Sequence, residues 1–257
     1  IPDWAAGRLE IEPAPLARTA FVRMEEDASV NLILRNDTRR EITDAEISWS
    51  LVDREERQKV ADIGPGKEVM LKIPVDTRLR PDRYSLRVAV RASQNSQILE
   101  VNRELTITIV PRSLPNTMPV IMWGTGDLDR LQEIGFTHQL VNLADFDQIW
   151  RSEEPTMAVP GSQLQEKADV LNEYLVRGVG AIATLSPASW VVRNPALQER
   201  FQRVDRKGQP YKEANPCGLF PEINEFCYRV GASVSQTFRE FPAFQAAYVR
   251  VISNTRT

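Results

Sequence analysis

The amino-acid sequence predicts a multidomain protein in which an all-β sandwich precedes a partial α/β barrel. Three observations carry this. Short alternating apolar and polar runs fill the chain from about residue 8 to 111, three prolines punctuate Pro111–Pro119, and apolar runs then alternate with helical periods. The expected organisation is a sandwich over residues 1–112, a linker over 113–119 and the first half of an eight-stranded barrel over 120–257.

Within the first part, strands are expected at Gly7–Ile11, Phe21–Glu25, Ala28–Asn36, Ile42–Val52, Lys59–Ile63, Glu68–Pro74, Arg83–Ala92 and Ile98–Val110. Asn36-Asp37, Gly64-Pro65-Gly66 and Pro81-Asp82 supply turn chemistry between them, and no segment there carries a helical period. Many short strands without helices over about a hundred residues describe an immunoglobulin-like or fibronectin-like sandwich. The cysteine pair of antibody domains is absent, so the likeness is one of architecture. Trp49 lies in the middle of Ile47-Ser-Trp-Ser-Leu51, where an inward indole plugs the core. The charged runs Arg39–Glu41 and Asp53–Arg57 read as solvated loops.

Beyond the prolines the pattern changes. Strands are expected at Val120–Trp123, Thr137–Asn142, Ala181–Leu185 and Gln245–Ser253, with helices at Leu128–Ile134, Ser162–Arg177 and Glu222–Glu240. Ser162 is a candidate N-cap, Leu164, Ala168, Leu171 and Leu175 share one helical face, and Gly135 and Gly178 stop their helices. A loop-rich stretch after the third strand contains the turn Asp205-Arg-Lys-Gly208. Strands alternating with helices imply right-handed βαβ units, a parallel sheet, and functional loops at the strand C-termini. Four such strands make about half of a barrel of typical length, and an open half would expose two sheet edges. The remaining half is therefore expected from the same gene product or from a second chain.

Composition narrows the chemistry. The net charge of -3 and the interspersed basic residues offer no basic face, so nucleic acid is not an expected partner. No apolar run approaches the roughly 20 residues of a membrane span. Cys217 and Cys227, with nine residues between them, do not have zinc-site spacing, and both a loop disulfide and two free thiols fit the sequence. His138 is the single histidine, too few for a Ser-His-Asp triad or a usual zinc site, so no metal and no cofactor is expected. Neither GxSxG nor GxxxxGK[ST] occurs, and Gly124-Thr-Gly126 is too short for a dinucleotide fingerprint, which disfavours a small open-sheet hydrolase.

Met118-Pro-Val-Ile-Met-Trp-Gly124, Gly135-Phe-Thr-His138 and the run Asn215-Pro-Cys-Gly-Leu-Phe-Pro-Glu-Ile-Asn-Glu-Phe226 resemble the opening strands and third loop of (β/α)8 glycoside hydrolases. The likeness, over about half of the chain, is to large bacterial enzymes of the β-galactosidase-like retaining clan. It implies cleavage of a β-linked sugar by two glutamates, one acid/base and one nucleophile, about 5 Å apart. It also implies an extracytoplasmic, periplasmic or secreted, location. That clan places an Asn-Glu pair at the end of strand four. Here Asn254 matches the Asn, but Thr255 stands where the Glu belongs, and no catalytic residue is assigned.

The candidate substrate-binding residues are Trp123, Asn142, Asp145, Trp190 and Asn254. Trp123 and Trp190 follow strands one and three, where an indole can stack on a sugar ring or pack beneath the loops. Asn142 and Asp145 follow strand two, where short polar side chains reach hydroxyls, and Asp145 can equally cap the turn from Leu143 to Phe146. Glu222, after Pro221, reads as an acid in the first turn of a helix. The competing function is a non-catalytic carbohydrate- or protein-binding module, which the missing carboxylates favour.

Overall fold

Alternation along the first strands decides which side chains face inward. The computed structural model describes residues 8–95, 97–113, 118–124, 126–211 and 216–249. Its first strands are β1 (Leu9–Pro13), β2 (Ala20–Val22), β3 (Ser29–Asn36), β4 (Thr43–Leu51), β5 (Arg54–Lys59), β6 (Glu68–Pro74), β7 (Asp82–Gln94) and β8 (Gln97–Val110). They form a three-stranded sheet, β1-β3-β6, and a five-stranded sheet, β2-β8-β7-β4-β5. Every pairing is antiparallel except β2 with β8.

Every second residue of β4, Ala45, Ile47, Trp49 and Leu51, enters one core with Leu86, Val88 and Val90 of β7 and with Val30, Leu32 and Leu34 of β3. Trp49 is a core residue, and truncating a side chain of that size costs about 3–5 kcal/mol. Buried Asn36 ties one end of the sandwich together. Its amide donates to the carbonyls of Arg40 and Ile63, 2.8 Å each, and its oxygen accepts from the Thr38 hydroxyl at 2.6 Å.

Two expectations need correction here. The segment Asp53–Arg57 is not a loop: Val52-Asp53 is a two-residue turn, and Arg54 opens β5, which pairs with β4 from Leu51↔Arg54 to Glu46↔Lys59. Of the strand expected over Lys59–Ile63, Lys59 is the last residue of β5, and Ile63 forms an isolated bridge with Ile42. β5 reads Arg-Glu-Glu-Arg-Gln-Lys and has no apolar period because it is an edge strand whose charges discourage further pairing.

The later elements are β9 (Ile121–Met122), α1 (Leu128–Glu133), β10 (His138–Val141), α2 (Phe146–Trp150), α3 (Gly161–Val176), β11 (Gly180–Leu185), α4 (Pro187–Arg193), α5 (Pro195–Phe201), α6 (Pro221–Phe238) and β12 (Phe244–Val249). The four strands form one parallel sheet in the order β12-β11-β10-β9. The chain divides into two compact units, Ile1–Asn116 with Ala168–Val176, and Thr117–Lys167 with Arg177–Thr257.

The helices also depart from expectation. Ser162 is not a cap, because the helix already begins at Gly161. Tyr174 rather than Leu175 is buried beside Leu171. The stretch read as loop holds α4 and α5, each started by a proline whose missing N–H costs nothing in a first turn. Asp205–Gly208 is the expected turn: the Asp205 carboxylate accepts from the amides of Lys207 and Gln209 at 2.7 and 2.9 Å. On α6 the buried residues Ile223, Phe226, Val230, Val234 and Phe238 trace one helical face. No helix among the described residues is long and apolar enough to cross a membrane.

Gly180, the first residue of β11, sits opposite His138 in register. A Cβ there would lie 2.4 Å from the imidazole Cδ2. The ring is held on both sides, Nδ1 at 2.7 Å from the Thr137 hydroxyl and Nε2 at 2.7 Å from the Gln245 amide oxygen. Only glycine leaves room for this polar chain at the N-terminal end of the sheet.

Candidate functional site

Because the four strands run parallel, their C-termini gather at one edge of the sheet, and the loops leaving them converge. An open cleft of about 630 Å³ lies there, lined by Trp123, Asn142, Thr184, Ser186 and Tyr248 over a backbone and aliphatic floor. Trp123 follows β9, Asn142 follows β10, Thr184 lies near the end of β11 with Ser186 just after it, and Tyr248 lies near the end of β12.

The loop after β9 is fixed from below. Gln139 of β10 is buried, and its amide donates to the carbonyl of Gly124 at 3.2 Å. Trp123, next to that anchor, is 68% exposed, and its indole meets the Tyr248 ring edge to face with centroids 4.8 Å apart. Asn142 is exposed, and its side-chain oxygen accepts from the Ala144 amide at 3.2 Å in a local turn.

Two of the residues singled out in the sequence, Trp123 and Asn142, are thus brought together. Asp145 does not line the cleft; its carboxylate caps α2 by accepting from the Gln148 amide at 3.0 Å. Trp190 is carried away from the cleft by α4 into an aromatic cluster, 5.5 Å from Phe226 and 6.0 Å from Trp150. Asn254 lies outside the described residues. Thr184, Ser186 and Tyr248 were not anticipated. The signal for the first two was the alternation Thr-Leu-Ser at the end of the third strand, with Leu185 buried and its neighbours facing the cleft.

No lining residue is charged. The arrangement supplies an aromatic wall with hydroxyl and amide groups, which binds a ligand having an apolar face and a polar rim but moves no proton by itself. Among the described residues no cluster of three potential metal-ligating side chains occurs. Glu222, in the first turn of α6, pairs with Arg200. Cys217 and Cys227 are free thiols, and burial pushes the Cys227 thiol above its ordinary range.

No family model matches the chain, and no curated protein matches it. Among solved structures, a calcium-binding mutant of Bacteroides uniformis beta-glucuronidase 2 is similar at 11% identity with a TM-score of 0.37, covering 96% of this chain and 28% of that one. Parabacteroides merdae beta-glucuronidase is similar at 9% identity with a TM-score of 0.36, covering 95% and 28% respectively. The chain therefore spans little more than a quarter of these enzymes. The CARDB domain of a Pyrococcus furiosus protein is similar at 11% identity with a TM-score of 0.29, covering 42% of this chain and 96% of that one.

Proposed function

We propose that this chain is a portion of a carbohydrate-active enzyme, a retaining glycoside hydrolase acting on a β-linked sugar, whose parallel sheet is the first half of a (β/α)8 barrel. The observation that carries the reading is the uncharged cleft at the strand C-termini, with Trp123 and Tyr248 as stacking wall and Asn142, Thr184 and Ser186 as hydroxyl partners.

Strand order supports the barrel. The sheet runs β9 to β12 in sequence order with no reversal, as barrel strands do, whereas doubly wound sheets reverse at a switch point. Burial supports an incomplete one. β11 is almost wholly buried, while Gln245, Ala246, Ala247 and Val249 of β12 are exposed, as is Ile121 of β9. Parallel strands are normally covered on both faces. In this reading the remaining strands come from the same gene product or from a second chain, and they bring the two catalytic carboxylates. This chain alone is then inactive and needs no cofactor, since the usual retaining reaction runs on two carboxylates. The parent enzyme is extracytoplasmic, periplasmic or secreted, and the sandwich is an immunoglobulin-like accessory domain.

Calorimetric titration with a panel of neutral methyl β-pyranosides tests this. The expected result is weak binding that Trp123→Ala removes, with no release of p-nitrophenol from the matching aryl glycosides. Binding that survives Trp123→Ala, or none by any sugar of the panel, would overturn the reading.

A further inference from the structure

At one end of the sandwich two loop residues hold exposed apolar side chains on left-handed backbone. Val52 has φ 58° and opens the turn between β4 and β5; Met24 has φ 63° and lies between β2 and β3. Their exposures are 53% and 55%. Glycine suits such a turn position, and a β-branched residue there is an outlier. Neither side chain gains burial in return, so folding does not account for either choice. Backbone outliers of this kind gather where a surface has another use.

Both residues line the same cleft of about 1070 Å³, together with Trp49, Leu51, Val75 and Leu79. Its walls are fixed rather than loose. The Met24 amide donates to the Thr77 carbonyl at 3.0 Å, and the Thr77 hydroxyl donates to the Glu25 carbonyl at 2.6 Å. The rim is acidic: Glu26, Asp27, Asp53 and Asp76 line it, and none of the four is in an ion pair with a described residue. Two arginines share the rim: Arg54 is neutralised by Glu56 at 2.8 Å, and Arg78 sets one positive charge against those four acids.

We propose that this end of the sandwich docks a basic peptide segment of a partner protein. One apolar side chain of that segment seats between Met24 and Val52, and its lysines or arginines face Glu26, Asp27, Asp53 and Asp76. Exposed apolar contacts supply the anchor, and charge complementarity selects the partner. The inference is independent of the sugar-binding reading, because every residue it uses lies between Met24 and Leu79.

Fluorescence anisotropy on the full chain tests it, with a short labelled peptide alternating leucine and lysine as probe and the leucine–glutamate counterpart as control. The lysine peptide binds, more weakly as salt is added, and the glutamate peptide does not. Asp53→Asn combined with Asp76→Asn weakens binding about fivefold. Val52→Gly relieves the turn and raises the melting temperature, yet weakens binding about fivefold, which separates the surface from the fold. Equal binding of both peptides, binding of neither, or affinity unchanged in Val52→Gly overturns the proposal. So does a concentration-dependent dimer that Val52→Gly abolishes, because the occupant would then be a second copy of the chain.

Discussion

Trp123 and Tyr248 touch although they leave strands at opposite borders of the four-stranded sheet, β9 and β12, with ring centroids 4.8 Å apart and planes at 72°. Border strands of a four-stranded sheet lie about 14 Å apart, a gap that the two aromatic side chains bridge between them. The contact turns a sheet edge into a walled cleft. It joins the first strand of this unit to the last and gives the polar ends of the strands between them an apolar wall.

Gln139 positions this wall through its bond to the Gly124 carbonyl. Gln139→Leu leaves that carbonyl without its amide partner and frees the loop carrying Trp123. The expected result is faster hydrogen exchange in residues 120–128 and weaker glycoside binding, with α6 exchange unchanged.

Gly180→Ala drives a methyl into the imidazole of His138, which its two hydrogen bonds hold in place. Overpacking of this kind costs about 1–3 kcal/mol. Urea denaturation should show that loss, and His138→Ala in the same chain should recover part of it by opening the space.

Asn36→Ala strips partners from the Arg40 and Ile63 carbonyls and from the Thr38 amide and hydroxyl at a buried site. A loss of about 2–4 kcal/mol is expected by urea denaturation. Glycoside binding by the folded fraction should not change, since the second unit does not contain this network.

Alkaline stability follows from two acids that burial perturbs, Cys227 and Tyr174. Burial raises Cys227 above its ordinary 9.0, and burial followed by the neighbouring Glu173 carboxylate raises Tyr174 above its ordinary 10.0. Each is neutral when protonated, so the folded chain holds these protons more tightly than the unfolded chain. Their contribution is complete below the ordinary values and is lost as pH rises through the raised ones. Urea midpoints measured from about pH 8 to about pH 11 should fall, and Cys227→Ala should remove the earlier part of the fall.

Much of the sandwich was legible because a half-buried strand writes its burial as a period of two, as in Ala45, Ile47, Trp49 and Leu51. β5 was not, because its charges carry no period and its place is set by the Val52-Asp53 turn and by pairing with β4. In the second unit, the stretch after the third strand read as loop, although Pro187 and Pro195 each start a short helix there. That error misplaced Trp190: its position after the third strand suggested the cleft, but α4 turns it into the cluster with Trp150 and Phe226. Tyr248 went unnoticed because the end of the fourth strand was sought at Asn254, which lies outside the described residues.

A sugar site at the strand C-termini can be followed through the tryptophan indole N–H signals by NMR while a methyl β-pyranoside that binds is titrated in. The Trp123 signal should shift together with the backbone amides of Asn142 and Ser186, while Trp49 and Trp190 stay in place. A shift confined to Trp190, or to the sandwich residue Trp49, would contradict it.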